Sequence, residues 1–269
     1  MNKITEVGYV LPVIEALSLH EVFNSGANRP LLITGVDSGG VKEDYVVKLR
    51  SAERMSNEAC MRELLALFIA AEMDIKSVSP VVINISPQFV DLLVGDNEWQ
   101  VTSQSIGLNF GSKYIKGPKT ILVGENLNSH QLPYAQAIFA FDILIQNADR
   151  TVNKPNMLTD GAEIIILDHE LAFGFVFDLF KNPTPWQIRE KDKEWINKHC
   201  LLTSVKGRDF DYQVFCDRLD RLDENFWQRA WNLLPVGWQC DQFRQIKEYF
   251  TAICANKTTF ILELKKVML

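Results

Sequence analysis

A short polar segment between two apolar ones constrains this chain most. Residues 132–146 are apolar on nearly all sides, which predicts a helix buried in a core. Residues 163–167 are predicted to form a strand, because 164–167 are all apolar, and Asp168 follows it. The polar segment between them contains Asp149 and Asn156. Because a hairpin would return the chain beside its start, Asn156 and Asp168 are expected to lie close together.

These side chains are the parts that phosphoryl transfer requires. Asp149 would orient or deprotonate an attacking hydroxyl, while Asn156 and Asp168 would hold Mg²⁺ on a nucleotide. Amide and carboxylate oxygens are the hard ligands that Mg²⁺ prefers. The alternative is a polar loop in which Asp, Asn and Pro only form turns, with Asp168 as a capping carboxylate at the strand end. Short motifs of this kind also arise by chance.

The N-terminal region contains a candidate nucleotide-binding lysine. Two runs rich in strand-forming residues, 29–34 and 44–49, flank a glycine-containing turn, which predicts a hairpin. Lys48 on the second strand could reach nucleotide phosphates, with the backbone of Gly39 and Gly40 covering them. A solvent-facing edge lysine and an ordinary hairpin turn are the alternatives.

A helix is predicted next, because apolar residues recur at helical spacing over 57–73 and Ser56 or Asn57 can cap its start. Glu63 on this helix could pair with Lys48 and direct its ammonium toward the phosphates. Glu58 lies in the first turn, where the helix dipole is sufficient to explain a carboxylate.

The rest of the chain changes from mainly strand to mainly helix. Further strands are predicted at 79–85 and 89–94, followed by a turn and a short extended segment at 99–101. Residues 107–124, rich in Gly and Lys, are interpreted as a connection between two lobes. Beyond Pro185 the patterns predict helices to the end, near the ranges 187–200, 210–233 and 240–265.

Composition excludes several functional classes. The 28 basic and 34 acidic residues give a net charge of −6, so a nucleic-acid partner is not expected. The five cysteines contain no C-x-x-C pair, which favours reduced thiols over disulfides or a zinc site. No signal peptide or membrane span is predicted. These features together predict a cytoplasmic protein.

Six short pieces, in order, resemble the HipA-like kinase family, which has the protein-kinase-like fold shared with phosphatidylinositol kinases. The pieces are Asp44-Tyr45-Val46-Val47-Lys48, Glu63-Leu64-Leu65-Ala66, Asn109-Phe110-Gly111-Ser112, Asn147-Ala148-Asp149-Arg150, Asn156-Met157-Leu158 and Leu167-Asp168-His169. The resemblance covers most of the first 175 residues.

The resemblance implies a role for each matching residue. Lys48 would contact nucleotide phosphates and Glu63 would orient it. Asp149 would be the catalytic carboxylate, with Asn156 and Asp168 as Mg²⁺ ligands. The cofactors would be ATP and Mg²⁺, and the segment near 101–111 would link the lobes and meet adenine through backbone groups.

The implied fold is α+β and bilobal. Residues 1–105 would form a small β-rich N-lobe with one helix, and residues 106–269 a larger, mainly helical C-lobe. The expected reaction transfers the γ-phosphoryl group of ATP to a hydroxyl, foremost a serine or threonine of a protein.

Some features depart from the family pattern and leave alternatives open. Lys154 stands five residues after the aspartate, where many relatives have the metal asparagine, so Asn153 is a rival of Asn156. His169-Glu170 replaces Phe-Gly after the second aspartate. A pseudokinase or nucleotide-binding scaffold, a small-molecule or lipid kinase, and a protein without a nucleotide site are the alternative hypotheses.

Overall fold

A closed five-stranded barrel forms the N-terminal part of the chain. The computed structural model describes residues 2–24, 27–121 and 127–269. The barrel strands are β1 (Val13–Val22), β2 (Leu31–Val36), β3 (Lys42–Lys48), β4 (Pro80–Ile85) and β5 (Gly107–Lys113). Their order is β1-β2-β3-β5-β4, and a short parallel pairing between β1 and β4 closes the barrel. The predicted hairpin is confirmed as the antiparallel pair β2–β3.

Helix α1 (Asn57–Glu72) connects β3 to β4 and confirms the helix predicted there. The Ser56 hydroxyl caps it by accepting a hydrogen bond from the backbone N–H of Ala59 at 3.1 Å. Such a cap stabilises a helix by about 1 kcal/mol. Every residue of α1 from Ala59 onward is buried, so polar side chains on this helix are held inside the protein.

Two predicted extended segments are helical, and those two predictions were wrong. The structure has α2 (Pro87–Asp91) and α3 (Trp99–Ser103) there, so three helices rather than one occur within the described part of residues 1–105. Ser86 caps α2 and Pro87 begins it, a position that suits proline. The apolar run that suggested a strand instead buries Phe89 and Val90 on a short helix.

The segment interpreted as a connection contains a strand of the barrel. β5 pairs with β3 on one side and with β4 on the other. Gly111 lies between Val47 and Val81, and a Cβ at this position would clash with the side chain of Ile83. Its glycine content therefore reflects close strand packing. Residues 122–124 of the predicted connection lie outside the described residues.

A second, smaller sheet and a buried helix follow the barrel. The sheet contains β6 (Lys119–Thr120), β7 (Met157–Thr159) and β8 (Ile164–Ile166) in that order. The helix α4 (Leu132–Ile145) is buried from Ala135 onward except at Ala137, which confirms the prediction of a core helix.

The chain beyond β8 is mainly helical, as predicted. Its helices are α5 (Glu190–Asn197), α6 (Leu202–Val205), α7 (Tyr212–Leu219), α8 (Glu224–Leu233), α9 (Asp241–Ala255) and α10 (Lys257–Met268), with short 3₁₀ turns at Gly174–Phe177 and Val236–Trp238. One hydrophobic core includes Phe68 of α1 and Phe139 of α4, and thus joins the barrel to the helical part. Across the described ranges, the helices are too short or too polar to cross a membrane.

Candidate active site

Lys48 and Glu63 form a buried ion pair at the end of the barrel. Lys48 is the last residue of β3 and is 8% exposed, while Glu63 on α1 is 1% exposed. The Lys48 ammonium donates a hydrogen bond to Oε1 of Glu63. Because removing one member of a buried pair leaves the other charge uncompensated, truncating Lys48 is expected to cost about 3–5 kcal/mol. The structure thus brings together two of the predicted site residues.

Two further carboxylates contact the same ammonium. Lys48 donates to Oδ1 of Asp168 and, at 2.7 Å, to Oε2 of Glu170. Burial alone would lower the pKa of Lys48, but Asp168, Glu63 and Glu170 outweigh it and raise this pKa well above its usual range. Burial raises the pKa of Asp168, and neighbouring Glu170 adds to this effect against the opposing charge of Lys48. Three carboxylates around one ammonium leave excess negative charge, which suits a cation.

The hairpin β7–β8 places Asn156 beside Asp168, as the sequence predicts. Met157 pairs with Ile166, and the Leu167 N–H donates to the Asn156 carbonyl at 3.2 Å. Both Asn156 and Asp168 have positive φ, 47° and 68°, so each turns sharply at an end of the hairpin.

The donor set at this edge fits Mg²⁺. Glu63, Asp168 and Glu170 offer carboxylate oxygens within 4.8 Å of one another. The Asn156 amide nitrogen is buried and has no hydrogen-bond partner in the described structure. Because the two ends of an amide are assigned from their partners, this group can present its oxygen to a cation. Asn153, the rival, is exposed in a turn.

Asp149 lies in the segment between α4 and β7 and is partly accessible to solvent. Its side chain is 21% exposed and interacts with Lys154, whose Nζ lies 3.3 Å from Oδ1 and 3.5 Å from Oδ2. A partly exposed carboxylate of this kind can accept a proton from an incoming hydroxyl, and the ammonium of Lys154 lies beside it.

Arg150 fixes the backbone of this segment. It is 1% exposed and uses all five of its N–H donors, the full capacity of a guanidinium. Two donate to Asp142 at 2.6 and 3.4 Å, and two donate to the carbonyls of Pro155 at 3.1 Å and Asn156 at 2.6 Å. The fifth points to Nε2 of His169 at 3.1 Å. One side chain therefore ties α4, the Asp149–Asn156 segment and the residue after Asp168.

The other end of the Arg150 network is the buried carboxylate of Asp142. His199 Nδ1 accepts a hydrogen bond from the Leu201 N–H, so its Nε2 carries the proton and donates to Oδ2 of Asp142 at 3.0 Å. Burial alone would raise the pKa of Asp142, but the charge of Arg150 and the hydrogen bond from His199 hold it well below its usual range. Asp142 is therefore an ionised anchor inside the core.

Glu170 connects the site to the barrel and to the helical part. Its Oε1 accepts a hydrogen bond from Asn28 Nδ2 at 3.0 Å. Its backbone carbonyl accepts one from Arg62 Nε at 2.7 Å, and Arg62 also donates to Gln242 of α9 at 2.6 Å. These contacts hold the Glu170 carboxylate against Lys48.

Gly39 and Gly40 are not brought to Lys48. They lie in the β2–β3 turn next to Lys42, the opposite end of β3, and six residues of strand span about 20 Å. The Asp37 carboxylate accepts the N–H groups of Gly39 and Val41, both at 2.9 Å, which accounts for the turn. The β1–β2 connection instead joins the barrel at the Lys48 end, because Leu31 pairs with both Val22 and Val47.

The segment near 101–111, expected to link the lobes, contains the end of α3 and most of β5. It lies within the barrel because β5 pairs on both sides. The chain leaves the barrel after Lys113, where β5 ends.

The sequence matches one known protein family along most of its length. The sequence matches the family described as HipA-like kinase over residues 17–247, most of the chain. The chain belongs to the HipA-like kinase family. It is thus a kinase, an enzyme that transfers phosphoryl groups. No curated protein has significant sequence similarity to it.

Several solved kinase structures resemble this HipA-like kinase at low identity. The Helicobacter pylori proinflammatory kinase CtkA aligns with a TM-score of 0.46 and 13% identity, over 92% of this chain and 94% of its own. The FAT and kinase domain of CtTel1 aligns with a TM-score of 0.35 and 11% identity, over 93% of this chain and 22% of its own. The MAP kinase LmaMPK10 from Leishmania major aligns with a TM-score of 0.30 and 10% identity, over 94% of this chain and 84% of its own.

Four residues of the HipA-like kinase site were missed by sequence reasoning: Asp142, His169, Glu170 and His199. Asp142 interrupts an otherwise apolar helix, and that interruption was the available signal. His169 ends one of the matching pieces and, together with Glu170, replaces Phe-Gly after the second aspartate, but neither residue was assigned a role. Nothing in the local sequence of His199 points to a contact 57 residues away.

Proposed function

We propose that the chain transfers the γ-phosphoryl group of ATP to a hydroxyl, with Mg²⁺ bound at the Asp168 edge. The observation that carries this proposal is the contact of one buried lysine, Lys48, with both Glu63 and Asp168. In phosphoryl transfer the lysine holds nucleotide phosphates and the carboxylate after the strand holds the metal. Lys48 and Asp168 are adjacent, so a triphosphate between them would meet both groups.

Asp149 is proposed to accept the proton of the attacking hydroxyl. Its partial exposure supports this role because an acceptor must reach it from solvent. Lys154 lies beside it and places a positive charge next to the proposed proton acceptor. A positioned acid or base of this kind contributes roughly 10²–10⁴-fold to a rate.

Asp168 and Asn156 are proposed to hold Mg²⁺, with Glu170 close enough to assist. When bound, Mg²⁺ would neutralise phosphate charge and orient the transferred group. Lys48 would then shift part of its contact from Asp168 to phosphate oxygens, while Glu63 keeps the ammonium in place. Asn156 is favoured over Asn153 because it lies beside Asp168 and its amide nitrogen is buried without a partner in the described residues.

We place the lobe boundary after Lys113, since β5 completes the barrel, and assign the barrel with α1 to the nucleotide-covering lobe. Asn28 donates a hydrogen bond to Glu170, which supports placing the phosphates near Asn28. Serine or threonine of a protein is the proposed acceptor, and the five free cysteines support a reducing, cytoplasmic setting.

The experiment that tests this function follows label from [γ-³²P]ATP into a generic protein acceptor, into lipid vesicles and into the chain itself. We expect Mg²⁺-dependent transfer to protein by the wild type and its loss in Asp149→Asn. Transfer only to lipid would redirect the acceptor class. Binding of ATP without any transfer, by the wild type, would instead identify a pseudokinase.

A further inference from the structure

The ring of His169 stands between the two halves of the site. It is fully buried, and its Nε2 lies 3.1 Å from Nη2 of Arg150. A guanidinium has donors and no acceptor, so Nε2 must accept and the proton of the neutral ring must be on Nδ1. The geometry thereby selects one tautomer.

The proton on Nδ1 faces the Lys48–Glu63 pair. Nδ1 lies 3.9 Å from Oε2 of Glu63, beyond hydrogen-bond distance, and among the described residues neither atom has a hydrogen-bond partner. The other oxygen of Glu63 accepts from Lys48. A shift of less than 1 Å would close the gap, and buried polar atoms rarely stay without partners.

The imidazole ring of His169 therefore lies in contact with Arg150 on one side and faces Glu63 on the other. On one side Arg150 holds the carbonyls of Pro155 and Asn156 and hence the segment that begins at Asp149. On the other side Glu63 holds Lys48. We infer that His169 is a positioning residue that couples the nucleotide lysine to the segment carrying the proposed catalytic aspartate. This inference rests on the proposed function.

His169 touches no reacting group in this arrangement, so its role is to set the positions of others. Removing its Nε2 acceptor would leave a buried arginine N–H without a partner, and removing its Nδ1 donor would take away the group that faces the unpaired oxygen of Glu63. Each orphaned group weakens the element it belongs to. A purely space-filling histidine would instead act through its packing, including its edge contact with Phe141 at 6.4 Å between ring centroids.

The tautomer is tested first, on the intact wild-type protein. A ¹⁵N–¹H correlation spectrum of imidazole-labelled protein distinguishes the two neutral forms, and His169→Gln identifies which of the four histidine signals belongs to His169. We expect Nδ1–H for His169. An Nε2–H ring or a charged ring at neutral pH would overturn the inference whether or not the protein is active.

Two matched variants then separate the two contacts of the ring, with Arg150 and with Glu63. Glutamine places its amide near Nε2 and keeps an acceptor for Arg150, whereas asparagine places its amide near Nδ1 and keeps a donor for Glu63. Since Lys48 serves nucleotide binding, we expect His169→Gln to raise KM for ATP about tenfold with little change in kcat. His169→Asn should lower kcat about tenfold with little change in KM.

A double-mutant cycle of Glu63→Gln and Arg150→Lys, run in the wild type and in His169→Phe, provides the closing measurement. We expect non-additive effects on kcat/KM with His169 present and additive effects with Phe. If the wild type is active, two results would overturn the positioning role alone. One is additive effects on kcat/KM in the presence of His169, and the other is Gln and Asn variants that differ only in melting temperature. A wild type that neither binds nor turns over ATP would overturn the proposed function and, with it, this role.

Discussion

The ammonium of Lys48 contacts the carboxylate of Glu63, although one residue ends β3 and the other lies on α1. Both side chains are buried, and the helix that carries Glu63 is buried along nearly its whole length. The barrel and α1 therefore hold the lysine in one position, and the hairpin β7–β8 presents Asp168 to it. Three elements of the fold thus converge on one ammonium group.

Glu63→Gln is expected to reduce kcat/KM for ATP by about 10²-fold, because a neutral amide directs the lysine less strongly. The matched control is Glu58→Gln, in the first turn of the same helix, which should leave activity within about twofold because Glu58 interacts with Ser56 and Arg62 and is not one of the three carboxylates that contact Lys48. Steady-state kinetics on both variants checks this. Equal losses in the two would show that any charge change on α1 disturbs the site.

Asn156→Gly is expected to weaken the Mg²⁺ dependence of activity, raising the half-saturating Mg²⁺ concentration about tenfold. Glycine suits the positive φ at this position, so the backbone should be retained. Asn153→Gly is the control and should leave the Mg²⁺ titration unchanged. The reverse outcome would assign the metal role to Asn153.

Gly40→Ala should reduce stability by about 1–2 kcal/mol, because Gly40 has φ of 82° and alanine is strained there. The KM for ATP should not change, since this turn lies at the far end of β3 from Lys48. Urea unfolding and kinetics on the same variant provide the check. A raised KM at unchanged stability would return the turn to the nucleotide site.

The stability of the fold should depend on pH through His169. Burial and the charge of Arg150 lower the pKa of this ring to about 3, from about 6.5 when unfolded. The unfolded chain thus binds more protons between these values. The contribution of His169 to the free energy of unfolding is complete above pH 6.5. It is lost as pH falls toward 3, at about 1.4 kcal/mol per pH unit.

Urea unfolding of the wild type and of His169→Gln at pH 7, 6 and 5 measures this slope. The wild type should lose stability more steeply below pH 6 than the variant, by about 1.4 kcal/mol per unit. Parallel pH profiles would mean that His169 does not titrate in this way.

Much of the fold was readable because the patterns were strong. The β2–β3 hairpin, α1, β4 and α4 each follow from local periodicity and capping. The errors came where local signals pointed the wrong way: the apolar run around Phe89 suits a short helix as well as a strand, and Gly111 suggested a loop when its lack of a side chain serves sheet packing.

The site was predictable only in part, for a different reason. Lys48, Glu63 and Asp168 stand out by residue type and position on their elements. The anchors behind them do not, because Asp142, Arg150 and His199 owe their importance to contacts across the fold. The pairing of β2 with β3 places Gly39 and Gly40 at the end of β3 away from Lys48. The glycine-rich turn alone does not show at which end of the strand the lysine lies.

The most direct test of a nucleotide site at Lys48 and Asp168 is the melting temperature with ATP alone, Mg²⁺ alone and both together. The wild type and Asp168→Ala should be compared. At a nucleotide concentration 100 times Kd, binding adds about 2.7 kcal/mol, a rise of roughly 5–10 °C for a chain of this size. The account predicts that this rise needs both ligands and disappears in the variant. An equal rise in Asp168→Ala, or none in the wild type at millimolar nucleotide, would contradict it.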